Sequence, residues 1–308
     1  MDIVSLGNRV MEGIPVTKKE AIWLYTQPLE VLCSQADRIR RVFCLDTFEF
    51  CTTICDRHRS GRPQNIPNQR KLLERAMISY AQELMQCSIG TGREGSKAET
   101  FEQICQRVCE IQQAVPVDVC VHAGFLDGAQ YMRLKEAEGR QVYYDLDCLW
   151  QGGMPAKTTS YDKWIKAARN AGKEGISLCM GVSIGLGEGW KDRIKMAFLL
   201  RELKIKDVVF HTMNRDAEDS SIPVDELRRM VAIYRFILPK AVIRLGNGRG
   251  FLQDKGYSCF CAGANGAVTG DMLNTAGITV EMDQEQIEKL GYKIKDRKSA
   301  RTRKDLSF

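Results

Sequence analysis

The chain has 308 residues, of which 44% are hydrophobic and 27% charged, so it can bury a large core and is too balanced in composition to be disordered. Its 45 basic and 39 acidic residues give a net charge of +6. Much of this surplus lies near the C-terminus, which argues against a nucleic-acid surface. The sequence contains no apolar run of the roughly 18 residues that a membrane span needs and no apolar secretory signal. We therefore expect a cytoplasmic protein without nucleic-acid or membrane partners.

Helical patterns come first in the chain. Apolar spacing predicts helices over residues 17–25 and 28–41, within an N-terminal helical extension of residues 1–40. Short apolar runs then alternate with amphipathic segments, which is typical of a parallel sheet with helical crossovers. The predicted strands are residues 41–48, 84–89, 117–123, 141–147, 176–184, 207–213, 241–245 and 264–269.

Eight strand–helix units fit a closed α/β barrel of the (β/α)8 TIM type better than an open doubly wound sheet, which is the alternative. We expect the barrel to cover residues 41–280 and to be followed by a C-terminal helix and basic tail over residues 281–308. In such a barrel, function lies at the C-terminal ends of the strands.

The loop after the first predicted strand carries soft metal ligands. It reads CTTICDRH and contains Cys51, Cys55 and His58. Two thiolates and an imidazole at this spacing can hold an iron–sulfur cluster. The alternative is a pair of buried thiols one helical turn apart, with His58 at the surface.

Three further cysteines lie in the middle of predicted strands: Cys87, Cys120 and Cys179. Because side chains alternate along a strand, each can point into the barrel lumen. Arg244 has the matching place in a later strand, and a buried arginine needs an anionic partner. An iron–sulfur core held by thiolates would be that partner. The alternative is three core cysteines and an arginine paired with a lumenal carboxylate.

A glycine-rich turn and two aspartates indicate a nucleotide-like ligand. The segment GVSIGLGEG ends one predicted strand with glycines that let the backbone approach a ligand, and a helix N-terminus follows. Asp145 and Asp147 alternate at the end of another strand, where carboxylates suit ribose hydroxyls or an amine. Helix capping or ion pairing is the alternative for this pair.

Together these segments resemble the biotin synthase branch of the radical S-adenosylmethionine enzymes. The likeness runs over about residues 6–277. The segments that carry it, in chain order, are ADRIRRVF, CTTICDRH, MQCSIGTG, DVCVHAG, YYDLDC, LCMGVSIGLGE, VIRLGNGRG and CFCAGANGAVTGD.

The resemblance implies a sulfurtransferase-like enzyme with two iron–sulfur clusters. A 5′-deoxyadenosyl radical would remove hydrogen from an unactivated C–H bond of a small-molecule substrate, and a 2Fe–2S cluster would donate the sulfur. The implied ligands of that cluster are Cys87, Cys120, Cys179 and Arg244. The implied ligands of a 4Fe–4S cluster are Cys51, Cys55 and His58.

S-adenosylmethionine is the third implied cofactor. By the resemblance, Gly90 and Gly92 approach its methionine end, while Asp145 and Asp147 contact it and the substrate. The implied adenosine site consists of Gly185, Gly187 and Glu188. The expected electron donor is a flavodoxin or ferredoxin, and a homodimer is possible.

Several positions depart from the family pattern. The family loop is CxxxCxxC, and His58 stands at its third cysteine, so Cys44 or another thiol is an alternative third ligand. His211 replaces an asparagine that contacts the substrate. Trp164 replaces an arginine that binds the methionine carboxylate, with Lys163 or Lys166 as substitutes. A related cofactor-maturation enzyme and a degenerate cluster-binding subunit without radical activity remain as alternatives.

Overall fold

Three helices precede the sheet: α1 (Ile3–Met11), α2 (Lys18–Tyr25) and α3 (Leu29–Cys44). The computed structural model describes residues 2–54, 69–90, 100–146, 150–151, 154–155, 158–185, 187–212, 222–270 and 277–295. Helix α2 begins with a capping box, in which Thr17 Oγ1 accepts from the Glu20 N–H and the Glu20 carboxylate accepts from the Thr17 N–H. This exchange satisfies two donors that a helix start leaves unpaired.

Eight parallel strands close into a barrel. The strands in chain order are β1 (Thr47–Thr53), β2 (Gln86–Gly90), β3 (Asp118–His122), β4 (Gln141–Asp145), β5 (Trp150–Gln151), β6 (Met154–Pro155), β7 (Ser177–Ser183), β8 (Asp207–His211), β9 (Val242–Leu245) and β10 (Gly266–Val268). Strands β5 and β6 form a separate antiparallel pair. The other eight pair in sequence, and β10 pairs back with β1. The expected (β/α)8 barrel is confirmed.

Helices cover the outside of the barrel. They are α4 (Gln69–Ala81), α5 (Phe101–Ala114), α6 (Gly128–Glu136), α7 (Thr158–Glu174), α8 (Trp190–Glu202) and α9 (Val224–Ile237). Outward residues of the strands, such as Val142, Val208 and Ile243, are fully buried in the layer between strands and helices. This layer is the main apolar core, and the lumen holds a second, smaller cluster.

The first strand begins later than the sequence predicts. Residues 41–44 belong to α3, and β1 starts at Thr47. Arg40 is buried within this helix, where it donates to Asp37 and to the Leu45 carbonyl. A short apolar run next to such residues cannot be assigned to helix or strand by periodicity alone. As a result, residues 49–53, which the sequence predicts to follow the first strand, lie inside that strand.

The C-terminal part of the chain runs from the end of β9 to the start of β1. Two 3-10 turns (Arg249–Phe251 and Tyr257–Ala262) lead towards β10, and α10 (Val280–Lys289) and β11 (Lys293–Ile294) follow it. Strand β11 pairs with the start of β1. The buried guanidinium of Arg249 binds Asp283, which fixes α10 to the barrel. In the described part of the chain, every helix is too short or too polar to cross a bilayer.

Candidate functional site

The base of the lumen is an ionic layer centred on Arg244, which is only 1% exposed. Its Nε and Nη2 donate to the two carboxylate oxygens of Asp207 at 2.9 and 3.1 Å. Nη2 also donates to Glu49 Oε2 at 3.0 Å, and Nη1 to the Glu49 carbonyl at 2.9 Å. The protein itself therefore provides the anionic partners that this buried charge requires.

Amide and ammonium groups extend this layer. Gln141 Nε2 donates to Asp207 Oδ2 at 3.1 Å, and Gln86 donates to Gln141 Oε1. Lys295, just after β11, places Nζ 2.5 Å from Glu49 Oε1. Burial opposes ionisation of Glu49, but Arg244 and Lys295 outweigh it and lower the pKa of the carboxyl. A cavity of about 300 Å³ lies beneath the layer, among the N-terminal ends of the strands.

A layer of thiols lies above the ionic layer. Cys51 and Val209 follow Glu49 and Asp207 by two residues on their strands, so they occupy the next level of the lumen. Cys120 and Cys179 belong to the same apolar cluster, and both are at most 5% exposed. The hydrogen bond with Cys120, together with burial, raises the pKa of Cys179 well above its ordinary range. Burial raises the pKa of Cys51 to about 12.

The lumenal orientation predicted for Cys87 is wrong. Its neighbours point inwards, because Gln86 reaches Gln141 and the Ser88 hydroxyl lies 2.9 Å from Thr53 Oγ1. Alternation then directs Cys87 to the other face of β2, where it is fully buried in the core beneath the helices. Position in the middle of an apolar run does not fix which face a residue takes.

The placement of Cys51 in a loop is also wrong. Because β1 begins at Thr47, Cys51 lies inside the strand, and its carbonyl accepts the Thr269 N–H at 2.9 Å. The other loop ligands, Cys55 and His58, lie outside the described residues. Cys44 is not available to that loop, since its Sγ contacts Arg235 Nη1 at 3.3 Å where α3 ends.

An aromatic group lies against the thiol layer. Tyr143 packs on the thiol cluster, and its ring stacks on His122 with centroids 4.1 Å apart. Tyr143 Oη lies 2.8 Å from His211 Nε2. The Asn247 N–H donates to His211 Nδ1 at 3.0 Å, so Nε2 carries the imidazole proton and donates to Tyr143. Gly181 is required here, since a Cβ on it would lie 1.9 Å from Tyr143 Oη.

The predicted adenosine residues lie together after β7. Gly185 and Gly187 have φ values of +102° and +93°, which favour glycine. Glu188 is buried, and its Oε1 accepts from the Gly185 N–H at 2.9 Å and from Arg193 Nε at 2.7 Å. The carboxylate therefore closes the turn that presents these glycines at the mouth of the barrel.

Gly90 and Asp145 are the last residues of β2 and β4, so both lie at the mouth. Gly90 pairs with His122 on the adjacent strand, and Asp145 is exposed. Their predicted partners, Gly92 and Asp147, lie outside the described residues.

Trp164, at the position of the family arginine, is a core residue. Its side chain is fully buried in the main apolar core. Its Nε1 has no hydrogen-bond partner among the described residues. Lys163 and Lys166 on the same helix are exposed. Trp164 therefore stabilises the packing of α7, and the family arginine has no counterpart at this position.

Sequence reasoning missed three lumenal residues: Glu49, Asp207 and Tyr143. A signal for the carboxylates is present in TFEF and DVVFH, where one acidic residue stands among apolar ones in a predicted or buried strand. Such a residue in a buried strand requires a cationic partner. Tyr143 has no comparable signal, because tyrosine is a common strand residue.

Known proteins share both the sequence and the fold of this chain. The family model described as Biotin and Thiamin Synthesis associated domain matches residues 204–293. A biotin synthase of Brachyspira hyodysenteriae is 35% identical over 94% of this chain and 94% of its own length. Biotin synthase 2 of Corynebacterium diphtheriae is 34% identical over 95% of this chain and 96% of its own.

Solved structures agree on the fold. A methylornithine synthase superposes with a TM-score of 0.77 at 15% identity, covering 96% of this chain and 99% of that one. A FeFe-hydrogenase maturase from Carboxydothermus hydrogenoformans gives a TM-score of 0.70 at 13% identity, covering 94% and 78%. At these identities the likeness concerns the barrel alone.

Proposed function

The chain belongs to the biotin synthase family, and from that premise we propose which of its residues carry the chemistry of a radical S-adenosylmethionine enzyme of the biotin synthase type. In such an enzyme, a 4Fe–4S cluster, S-adenosylmethionine and a 2Fe–2S cluster supply a 5′-deoxyadenosyl radical and the sulfur that is inserted into a C–H bond. The two biotin synthases compared above each align with more than nine-tenths of this chain.

The observation that carries the proposal is the thiol layer above Arg244. Cys51, Cys120 and Cys179 share an apolar level of the lumen with Val209 and Val268. Soft thiolate donors in an apolar enclosure fit an iron–sulfur cluster. Among the described residues, no three His, Cys, Asp or Glu side chains converge tightly enough for a single metal ion. A two-iron cluster is larger than one ion and needs donors spread around it.

Arg244 acts as a fixed cation below this layer. Its hydrogen bonds to Asp207 and Glu49 hold the guanidinium in place, so that it forms the polar floor beneath the thiols. Ligation of iron by Arg244 itself would require the release of part of this network.

At the mouth, we assign S-adenosylmethionine to the backbone edges of Gly90, Gly185 and Gly187, with Asp145 beside them. Positive φ values at the two glycines after β7 allow close approach of a ligand. Gly92 and Asp147, which are predicted to complete this site, and Cys55 and His58, which are predicted to hold the 4Fe–4S cluster, retain those roles as proposals.

The substrate is a small molecule that enters between the mouth and the thiol layer. Tyr143 and His211 are hydrogen-bonded to each other, and Tyr143 packs against the thiols, so that the pair forms a polar boundary beside them. The residues of the barrel thus hold the reacting carbon in place and exclude water from a reactive radical. Because His211 stands where the family has asparagine, we propose a substrate other than dethiobiotin.

We further propose that the enzyme works in the cytoplasm with a flavodoxin or ferredoxin as electron donor. The net charge of +6 would favour encounter with an acidic carrier. A homodimer is compatible with this scheme. The cofactor-maturation and degenerate-subunit alternatives are not favoured, since the relatives that match most of the chain are biotin synthases, whereas the maturase shares only the fold.

Anaerobic reconstitution with iron and sulfide, followed by S-adenosylmethionine and dithionite, tests the activity. We expect 5′-deoxyadenosine as a product, and its loss in the His58→Ala variant if this histidine is a cluster ligand. Wild-type protein that contains a complete 4Fe–4S cluster and forms no 5′-deoxyadenosine would reject the radical reaction. Analysis of sulfur incorporation into candidate small molecules then identifies the acceptor.

A further inference from the structure

We infer that Cys51, rather than Cys87, is the third thiolate ligand of the 2Fe–2S cluster in the lumen, together with Cys120 and Cys179. This inference rests on the proposed function, because it assigns a ligand to a cluster of the proposed enzyme. It changes the role expected for two cysteines, since the sequence placed Cys51 at the mouth of the barrel and Cys87 in the lumen.

The lumenal orientation of Cys51 is fixed from both sides along β1. Glu49, two residues before it, binds Arg244 in the lumen, and Thr53, two residues after it, lies 2.9 Å from the Ser88 hydroxyl. Cys51 is also paired with Gln86 on β2 and Val268 on β10. Because residues i, i+2 and i+4 of a strand share one face, Cys51 must project into the thiol layer.

Cys87 cannot replace it without a change of register. A slip of β2 by one residue would turn Cys87 inwards, but it would also turn Gln86 away from Gln141 and Ser88 away from Thr53. The same slip would expose the 3%-exposed side chain of Ile89 to the lumen. The slip would thus break the contacts of Gln86 and Ser88 and take Ile89 out of the core. The observed register is therefore the more stable one.

The position of Cys51 also separates the two clusters. Cys51 lies inside β1, two residues before the strand ends at Thr53, so its side chain belongs to the thiol layer. It is then unavailable to a cluster beyond the end of the strand. Cys55 and His58 are the loop residues that remain for the 4Fe–4S cluster, which makes the loop poorer in thiolates than the family pattern.

Two isosteric variants test the inference, Cys51→Ser and its matched control Cys87→Ser. Both proteins are reconstituted with iron and sulfide, and iron, acid-labile sulfide, visible absorption and electron paramagnetic resonance of the reduced protein are measured. We expect Cys51→Ser to lose about two irons and two sulfides per chain or to show shifted 2Fe–2S spectra, because oxygen replaces a sulfur ligand. Cys87→Ser should keep the wild-type values.

Retention of wild-type 2Fe–2S spectra in Cys51→Ser would overturn the inference, and so would loss of the cluster in Cys87→Ser. Circular dichroism of the cluster-free variants shows whether each one folds.

Failure of the inference can be distinguished from failure of the proposed function. If wild-type protein binds a 2Fe–2S cluster and Cys51→Ser binds it equally well, only the ligand assignment is wrong. If wild-type protein binds no 2Fe–2S cluster under any reconstitution condition, the proposed function and the inference are both rejected.

Discussion

At the base of the lumen, Arg244 makes four hydrogen bonds to Asp207 and Glu49. The buried charge is tolerated because these partners compensate it. Removing any one of them would therefore destabilise the fold. The single arginine thus orders both carboxylates and, through Asp207, the amide of Gln141. This polar arrangement supports the layer that carries the cysteines.

Replacing Asp207 with asparagine should destabilise the fold. Asp207→Asn removes the negative charge that faces a buried guanidinium, so we expect the free energy of unfolding in urea to fall by ~3 kcal/mol. The matched control is Asp225→Asn, which disrupts the ion pair of an exposed carboxylate with Arg228 and should cost less than ~1 kcal/mol. Equal losses in the two variants would show that the Arg244 network is not the source of the effect.

Glu49 should contribute a pH-dependent part of the stability. Its folded-state pKa lies below the usual value of 4.5 because Arg244 and Lys295 outweigh its burial. As pH falls below that value, the unfolded chain takes up a proton first, so the unfolding free energy decreases towards the folded-state pKa. We expect urea unfolding at different pH values to show this decrease, and Glu49→Gln to reduce it. Parallel curves for wild type and variant would contradict the expectation.

At the scale of single elements, strand parity decides which cysteines can reach the lumen. In β4 and β7, Tyr143 and Gly181 face each other so closely that no larger residue fits at position 181. This contact holds the tyrosine ring against His122 and beside His211. The position of the Tyr143 ring, between the mouth and the thiols, therefore depends on a glycine at position 181.

Gly181→Ala tests this contact. The new Cβ would overlap Tyr143 Oη, and overpacking of this kind costs ~1–3 kcal/mol of stability. In the background of Tyr143→Ala the same substitution should be nearly neutral, because its clashing partner is gone. Gly172→Ala is the control, since an added Cβ there meets no atom within 4 Å. A similar cost with and without Tyr143 would show that another contact is responsible.

The sequence predicts the strands well and their faces less well. Six of the eight barrel strands fall within the predicted runs and β2 extends one residue past its run, because short apolar segments between helical patterns are distinctive. The first strand is displaced, since α3 continues to Cys44 and shifts where the strand starts. That shift moves Cys51 from the loop into the lumen. Which way Cys87 points depends on β2 register, and register is set by contacts between strands such as Gln86 with Gln141.

At the scale of the whole molecule, ionic contacts close the barrel at the end where its strands begin. The segment after β10 reaches back to the start of β1, where Lys295 binds Glu49 in the lumen. The closed barrel was predictable from the number of strand–helix units. The lumenal layers were not, because they combine residues far apart in sequence, such as Glu49, Asp207 and Arg244.

The most direct test of the account asks whether the thiol layer holds a 2Fe–2S cluster. Wild-type protein and the Cys120→Ser/Cys179→Ser double variant are reconstituted with ⁵⁷Fe and compared by Mössbauer spectroscopy. We predict about six irons per chain in the wild type, and loss of the 2Fe–2S signal and about two irons in the variant, with the 4Fe–4S signal unchanged. Identical spectra and iron contents in the two proteins would contradict the account.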